Sequence, residues 1–331
     1  MHCNAHPLNQ KSLVLFPTNL ESRGLNMPIK IGCCGFPVSK TKYYRELPLV
    51  EINSTFYNYP KQSILLKWRR EAPENFEFTV KAHQDISHTH RFNPNNECIK
   101  ALNLMVEICK TLNSKILLIQ TPASFKPEES NLKKVKEFFG KIGKHKIFWV
   151  WETRGDEWFK PETKKTLKKI FDEYGIIHCT DPFISQPARV GEIAYFRLHG
   201  LGKRLYYYQY SDDELKKLLE TVKKFNKKRE VYVLFNNLTM FTDALRFKSL
   251  VEKGELPSLT GCFGLESFKK VVEKTKFPTS KPKLLKMHGW KLFDLKHGKQ
   301  ILVESVLEQI PTKTYNSLDE LLSEAKKVLG G

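Results

Sequence analysis

No apolar stretch in these 331 residues approaches the roughly 18 that a membrane-crossing helix needs, so a helical span is excluded by length alone. Seven cysteines form no CxxC pair and are odd in number. That argues against a disulfide framework and fits buried thiols in a reducing cytosol. The first 26 residues lack both the basic start and the long apolar run of a signal peptide. Acidic residues are outnumbered, 36 against 55 Lys and Arg, for a formal charge of +19. Such an excess attracts polyanions, with nucleic acid foremost and an anionic membrane surface as the other class. A Lys-rich, heat-adapted surface is the bland alternative.

What is present is a series of short apolar or β-branched runs. They fall at 29–35, 49–56, 76–83, 115–122, 147–154, 175–181, 193–200 and 230–237. Stretches with helical spacing separate most of them, such as 95–112, with Cys98, Leu102, Met105, Val106 and Cys109, and 211–225, opened by a capping box of Ser211 and Glu214. Strands apolar on both faces, alternating with amphipathic helices, specify a parallel sheet covered by helices, and eight such units specify a closed (β/α)8 TIM barrel. The sixth linker, 182–192, holds Pro182 and Pro187 and is a poor helix, so the barrel is expected to be somewhat irregular.

The expected organisation is threefold. Residues 1–27 form a disordered or misassigned N-terminal segment, since Met27-Pro28 stands directly before the first strand-like run. Residues 28–276 form the barrel. Residues 277–331, beyond the prolines of "FPTSKPK", form a small, basic, α-rich accessory module with a capping box at Ser317 and Glu320.

Barrel active sites lie at the carboxyl ends of strands, where polar residues that end apolar runs are functional candidates. Here these are Glu51, Asn53 and Tyr57 after the second run; Lys81, His83 and His88 after the third; and Gln120 after the fourth. Glu152 and Arg154 follow the fifth, Asp181 the sixth, Arg197 and His199 the seventh, and Asn236 and Asn237 the eighth. Residues two apart on a strand share a face, so Glu51 with Asn53, Lys81 with His83, Glu152 with Arg154 and Arg197 with His199 are each expected to point the same way. If that way is inward, the mouth holds three carboxylates and three cations, a mixture suited to an anionic or polyhydroxylated ligand.

At these residues the chain resembles a known family. "IGCCGF", "VEINSTFYNYP", "FTVKAHQDISH", "LLIQTPASF", "WETRGDEWF", "FRLHG" and "LFNN" are similar, in order, to the motifs of domain-of-unknown-function family 72, also called YecE-like. The resemblance spans about residues 29–265 and implies a TIM barrel, but no reaction. Its pattern covers Asn53, Phe56, Tyr57, Lys81, His88, Gln120, Glu152, Arg154, Arg197, His199, Asn236 and Asn237. The first motif more commonly reads Ser and Trp where this chain has Cys34 and Phe36.

The expected activity is that of a hydrolase or lyase acting on nucleic acid or on a phosphorylated or sugar ligand. Glu152 and Glu51 are the candidate acid and base, and His88 and His199 the candidate proton shuttles. Lys81, Arg154 and Arg197 are the anion binders, and Asn53, Tyr57, Gln120, Asp181, Asn236 and Asn237 orient the ligand. On a sugar, Tyr57 and Trp158 would stack on the ring. Lys81 as a Schiff-base nucleophile needs a pKa lowered by burial and neighbouring cations. No cofactor is expected; a divalent metal held by His83, His199, Glu51, Glu152 and Asp181 is the competing reading. The alternative class is a non-catalytic binding protein for nucleic acid or a phosphorylated ligand. In it, "GKRLYYYQYS" (202–211) either stacks on bases or forms a lid packed by its own tyrosines. The expected partner is an anionic ligand such as DNA or RNA, the expected location the cytoplasm.

Overall fold

The computed structural model describes residues 27–142 and 145–330, so the expectation for the N-terminal segment lies almost wholly outside the described residues. Eight strands appear where the apolar runs stand: β1 (Ile29–Cys34), β2 (Leu49–Ile52), β3 (Glu77–Lys81), β4 (Ile116–Gln120), β5 (Phe148–Glu152), β6 (Ile177–Cys179), β7 (Ile193–Leu198) and β8 (Glu230–Phe235). All are paired in parallel in the spatial order β6-β5-β4-β3-β2-β1-β8-β7. Between β6 and β7 the ladder shrinks to one parallel bridge, Thr180 with Phe196, and the Arg197 N–H donates to the Thr180 carbonyl at 3.2 Å. The sheet is thus a nearly closed barrel. Gly32 is required where β1 meets β2, because a Cβ there would lie 2.2 Å from the Leu49 carbonyl oxygen.

Helices fill the crossovers: α1 (Lys40–Glu46), α2 (Gln62–Glu71), α3 (Asn96–Leu112), α4 (Glu129–Lys141), α5 (Pro161–Tyr174) and α6 (Asp212–Asn226), with α7 (Met240–Lys253) after β8. The proline-bearing linker between β6 and β7 has no helix, as its composition predicts. In α3 the five residues picked out by spacing are all buried, each contributing about 1.5–3 kcal/mol where the side chain is large. The capping box at Ser211 and Glu214 is formed. Among the described residues no helix is long and apolar enough to cross a membrane.

Alternation along the strands builds two cores. One set, including Ile31, Val50, Val80, Leu117, Trp151 and Phe196, packs under the helices. The other, including Leu49, Leu118, Val150, Ile177, Tyr195 and Leu234, fills the barrel interior. At the amino-terminal end of the interior Lys30 is paired with Glu77 and Glu230, and Tyr232 donates to Glu77 at 2.8 Å. At the carboxyl end the same inward set becomes Glu51, Lys81, Glu152 and Arg197.

The rest of the chain has its own core, containing Phe268, Leu284, Phe293, Val306, Tyr315 and Leu321. It comprises α8 (Gly264–Val272), β9 (Thr279–Ser280), α9 (Lys281–His288), β10 (Leu292–Lys296), β11 (Lys299–Leu302), α10 (Val303–Leu307), β12 (Thr314–Tyr315) and α11 (Leu318–Leu329). The core draws in Phe268 and Val272 from α8, ahead of residue 277, because the apolar face of that helix packs against β10 and α11 rather than the barrel. Besides helices it contains two antiparallel strand pairs, β10 with β11 and β9 with β12. The module is tied to the barrel through Gln209, whose side-chain oxygen accepts from the Leu292 N–H at 2.9 Å, and Gln300, which accepts from the Asp212 N–H at 3.0 Å.

Candidate functional site

The floor of the barrel mouth is an ionic cluster centred on Arg197. Its guanidinium is 1% exposed and lies between two carboxylates, donating to Glu51 at 2.8 Å and to Glu152. Tyr195, two residues earlier and therefore on the same face of β7, donates its hydroxyl to the other Glu51 oxygen at 2.8 Å and shares a hydrogen bond with Thr79. Cys34, in register with Glu51, is buried beside this group, and burial pushes its thiol well above the usual range. Arg197 is therefore an internal counter-ion, not the ligand-gripping guanidinium expected from sequence. Its donors face two acids, and its Nε is buried without a partner.

Glu152 is held from a second side. Arg154 Nε lies 2.9 Å from Glu152 Oε1 with its N–H not directed at it, and His199 Nε2 lies 3.4 Å from the same oxygen. Burial alone would push the Glu152 carboxyl up, but Arg154 and Arg197 hold it well below the usual carboxylate range. A carboxylate held ionised in this way is a poor proton donor near neutrality, which counts against its expected role as acid. His199 is brought down to about 3, first by burial and then by Arg154, Arg197 and Lys81 against the pull of Glu152. Both influences favour the neutral ring, which counts against the expected proton shuttle near neutrality. Asp181 accepts the His199 and Phe183 backbone N–H groups at 3.2 and 3.0 Å, and burial raises its carboxyl to about 6.

Above the floor stands Lys81. Its ammonium sits 4.0 Å from the centre of the Phe56 ring and has no carboxylate within salt-bridge distance among the described residues. Burial and the Arg197 charge bring the amine down to about 8 against the opposing pull of Glu51 and Glu152. Phe56 also packs edge-on against His88 and Tyr57, at 4.9 Å each, so one buried ring positions three candidates. His88 lies on a single π-type turn, Asp85–Thr89, with its Nδ1 2.9 Å from the Ser87 hydroxyl; burial and Lys81 lower its pKa. Tyr57 is 65% exposed. Arg154, Lys81, Gln120, Asn53 and His88 are the partly exposed rim over the buried floor.

Other expectations change. The chain leaves β3 after Lys81, and His83 does not keep company with it. His83 stacks on Tyr59 at 4.1 Å and contacts Asp85 at 3.1 Å. The amide of Asn237 donates to the Tyr208 carbonyl, Thr239 and buried Asp243, so it fastens the loop after β8. Asn236 and Gln120 make no side-chain hydrogen bond among the described residues, and Asn53 Oδ1 is buried without a partner. Trp158 is buried against Phe125 and donates to its carbonyl at 2.8 Å, which removes it as a sugar platform. Among the described residues no three or more His, Cys, Asp or Glu side chains converge as a metal-ligand set. His88 and His90 stand two apart, but Ser87 and Asn95 take their Nδ1 atoms. Sequence reading missed Tyr195, although its spacing from Arg197 is the signal. It also missed Asp243, for which no motif exists.

A family model described as protein of unknown function DUF72 matches residues 40–259. The protein YunF of Bacillus subtilis is 26% identical over 226 residues, spanning 59% of this chain and 79% of the relative. Among solved structures, a DUF72 family protein from Enterococcus faecalis aligns with a TM-score of 0.57 and 24% identity over 69% of this chain and 99% of that one. Another from Thermotoga maritima aligns at 0.54 and 22% identity over 68% of this chain and all of its own. At these identities the two structures establish likeness of fold.

Proposed function

The chain belongs to the DUF72 family, whose function its description leaves open, and from its own side chains we propose that the barrel mouth is the active site of a lyase for a small anionic carbonyl compound, such as a phosphorylated sugar. The observation that carries this reading is Lys81, a half-buried amine with no carboxylate partner among the described residues and a pKa drawn down to about 8. A lysine tuned into this range is reactive as the free amine near neutrality. Its Nζ attacks the carbonyl carbon and, with one proton from solvent, the carbonyl oxygen leaves as water. The iminium accepts the electron pair of the cleaved neighbouring carbon–carbon bond, and the departing fragment gives its hydroxyl proton to water and leaves as a carbonyl compound. Protonation and hydrolysis of the enamine release the second product and free Lys81. Arg154, the partly exposed guanidinium, grips the anionic group, and Asn53 and Gln120 orient hydroxyls.

Borohydride reduction of the protein with anionic aldoses or keto acids tests this. Expected is a covalent adduct mapped by mass to the Lys81 peptide and absent in Lys81→Ala. No adduct with any such compound, together with unchanged anion affinity in Lys81→Ala, overturns it. A second reading, a non-catalytic anion-binding protein, is favoured by the engagement of both floor carboxylates with guanidiniums. It predicts binding without adduct formation.

A further inference from the structure

A second concavity lies beside the mouth, between the loop that follows β7 and the C-terminal module. It encloses about 500 Å³ and is lined by Lys203, Arg204, Tyr207, Lys286 and Trp290, with Glu304 as the opposing charge. Tyr207 meets Trp290 edge to face at 5.6 Å, and the Arg204 guanidinium lies 3.3 Å above the Tyr207 ring. Lys203, Arg204 and Lys286 are exposed. The stretch 281–299 that supplies the module's wall has six lysines against one aspartate.

We propose that this cleft binds single-stranded nucleic acid, with bases stacking on the Trp290–Tyr207 pair and phosphates held by Lys203, Arg204 and Lys286. Aromatic faces interleaved with cations are the two elements that sequence-tolerant single-strand sites combine, and only unpaired bases can reach such faces. The loop geometry gives the strand a course. Tyr206 and Tyr207 are consecutive, yet the Tyr206 ring lies 6.1 Å from that of His199 at the mouth while Tyr207 faces Trp290 in the cleft. The two concavities therefore adjoin across one peptide unit. Gly200, at φ +90°, permits the fold-back, since a Cβ there would fall 2.3 Å from that of Tyr208. This site stands on its own residues and does not depend on what Lys81 does.

The test is fluorescence anisotropy of the full chain with a labelled ten-nucleotide oligothymidylate, with polyglutamate of equal charge as competitor. Expected is binding with a log–log salt slope of about −2, for three phosphate contacts on a single strand, and weak competition by polyglutamate. Trp290→Ala should weaken binding roughly ten-fold, with circular dichroism to check folding. The exposed double variant R204A/K286A should lower the salt slope without touching the core, and Lys81→Ala should leave affinity unchanged. Absence of binding at low salt, equal competition by polyglutamate, which would assign the cleft to acidic peptides, or unchanged binding in both cleft variants overturns the proposal.

Discussion

The guanidinium of Arg154 rests on the ring nitrogen of His199, Nη2 to Nε2 at 2.7 Å. A guanidinium has only donors, so Nε2 is the acceptor and the imidazole proton is on Nδ1. Long-range nitrogen–proton NMR should find His199 as the neutral Nδ1–H tautomer from pH 5 to 8. In Arg154→Ala its pKa should rise, because one of the cations that oppose the pull of Glu152 is gone while burial, Arg197 and Lys81 remain. Titration of wild-type His199 near 6.5 would contradict this.

Removing the centre of the floor should be severe. Arg197→Met leaves Glu51 buried without its counter-ion and Glu152 with Arg154 alone, and should cost about 3–5 kcal/mol in urea unfolding. The triple variant E51Q/E152Q/R197M should recover much of that loss, since no fully buried carboxylate is left without its counter-ion and the cations that remain, Arg154 and Lys81, are partly exposed. Equal stability of the single variant and the wild type would refute the counter-ion role.

Lys81 makes the opposite prediction. Its amine is depressed from its ordinary value to about 8, so the folded state binds fewer protons than the unfolded one between about pH 8 and 10.5, and stability rises with pH across that window. Lys81→Met should stabilise the protein at pH 7, on the order of 1–2 kcal/mol after discounting for partial exposure. The advantage should shrink as pH climbs through the window. Carbon-13 methylation of the lysines should show one amine titrating near 8.

Asp243 reverses the sign again. Burial, offset by donors from Asn237 and Thr239, raises its carboxyl from 3.8 to about 7. The folded state therefore binds more protons than the unfolded one between those values, and stability contributed by this group falls as pH rises through them. Asp243→Asn should flatten the slope between pH 4 and 7 relative to wild type. Parallel stability curves for the two proteins would remove Asp243 as the source.

The barrel was legible because its determinants are local. Eight apolar runs and their helical spacers need only periodicity, and the missing sixth helix was marked by Pro182 and Pro187. Part of the candidate set, Glu51, Lys81, Glu152, Arg154, Arg197 and His199, does lie together, since strand ends deliver side chains to one mouth. Their roles were not legible, because protonation depends on partners far along the chain. Arg197 reads as a ligand binder until Glu51, 146 residues away, is seen to hold it. Glu152 reads as an acid until two guanidiniums flank it. Lys81, whose Schiff-base role hung on a lowered pKa, is where the fold supplies that condition through burial and Arg197. His83 escaped the alternation rule because the strand ends before it.

The weak joint between β6 and β7 gives the floor cluster a second meaning. Glu152 belongs to β5 and Arg197 to β7, so their contact passes over short β6, and the Arg154–His199 bond runs the same way. Where backbone pairing has dwindled to one bridge, side-chain charge acts as the clasp of the ring. Drift at these positions is therefore restrained twice, by whatever the mouth binds and by the integrity of the cylinder. A loss-of-function substitution here has to be sorted by whether the ring stays shut before it can be assigned to chemistry.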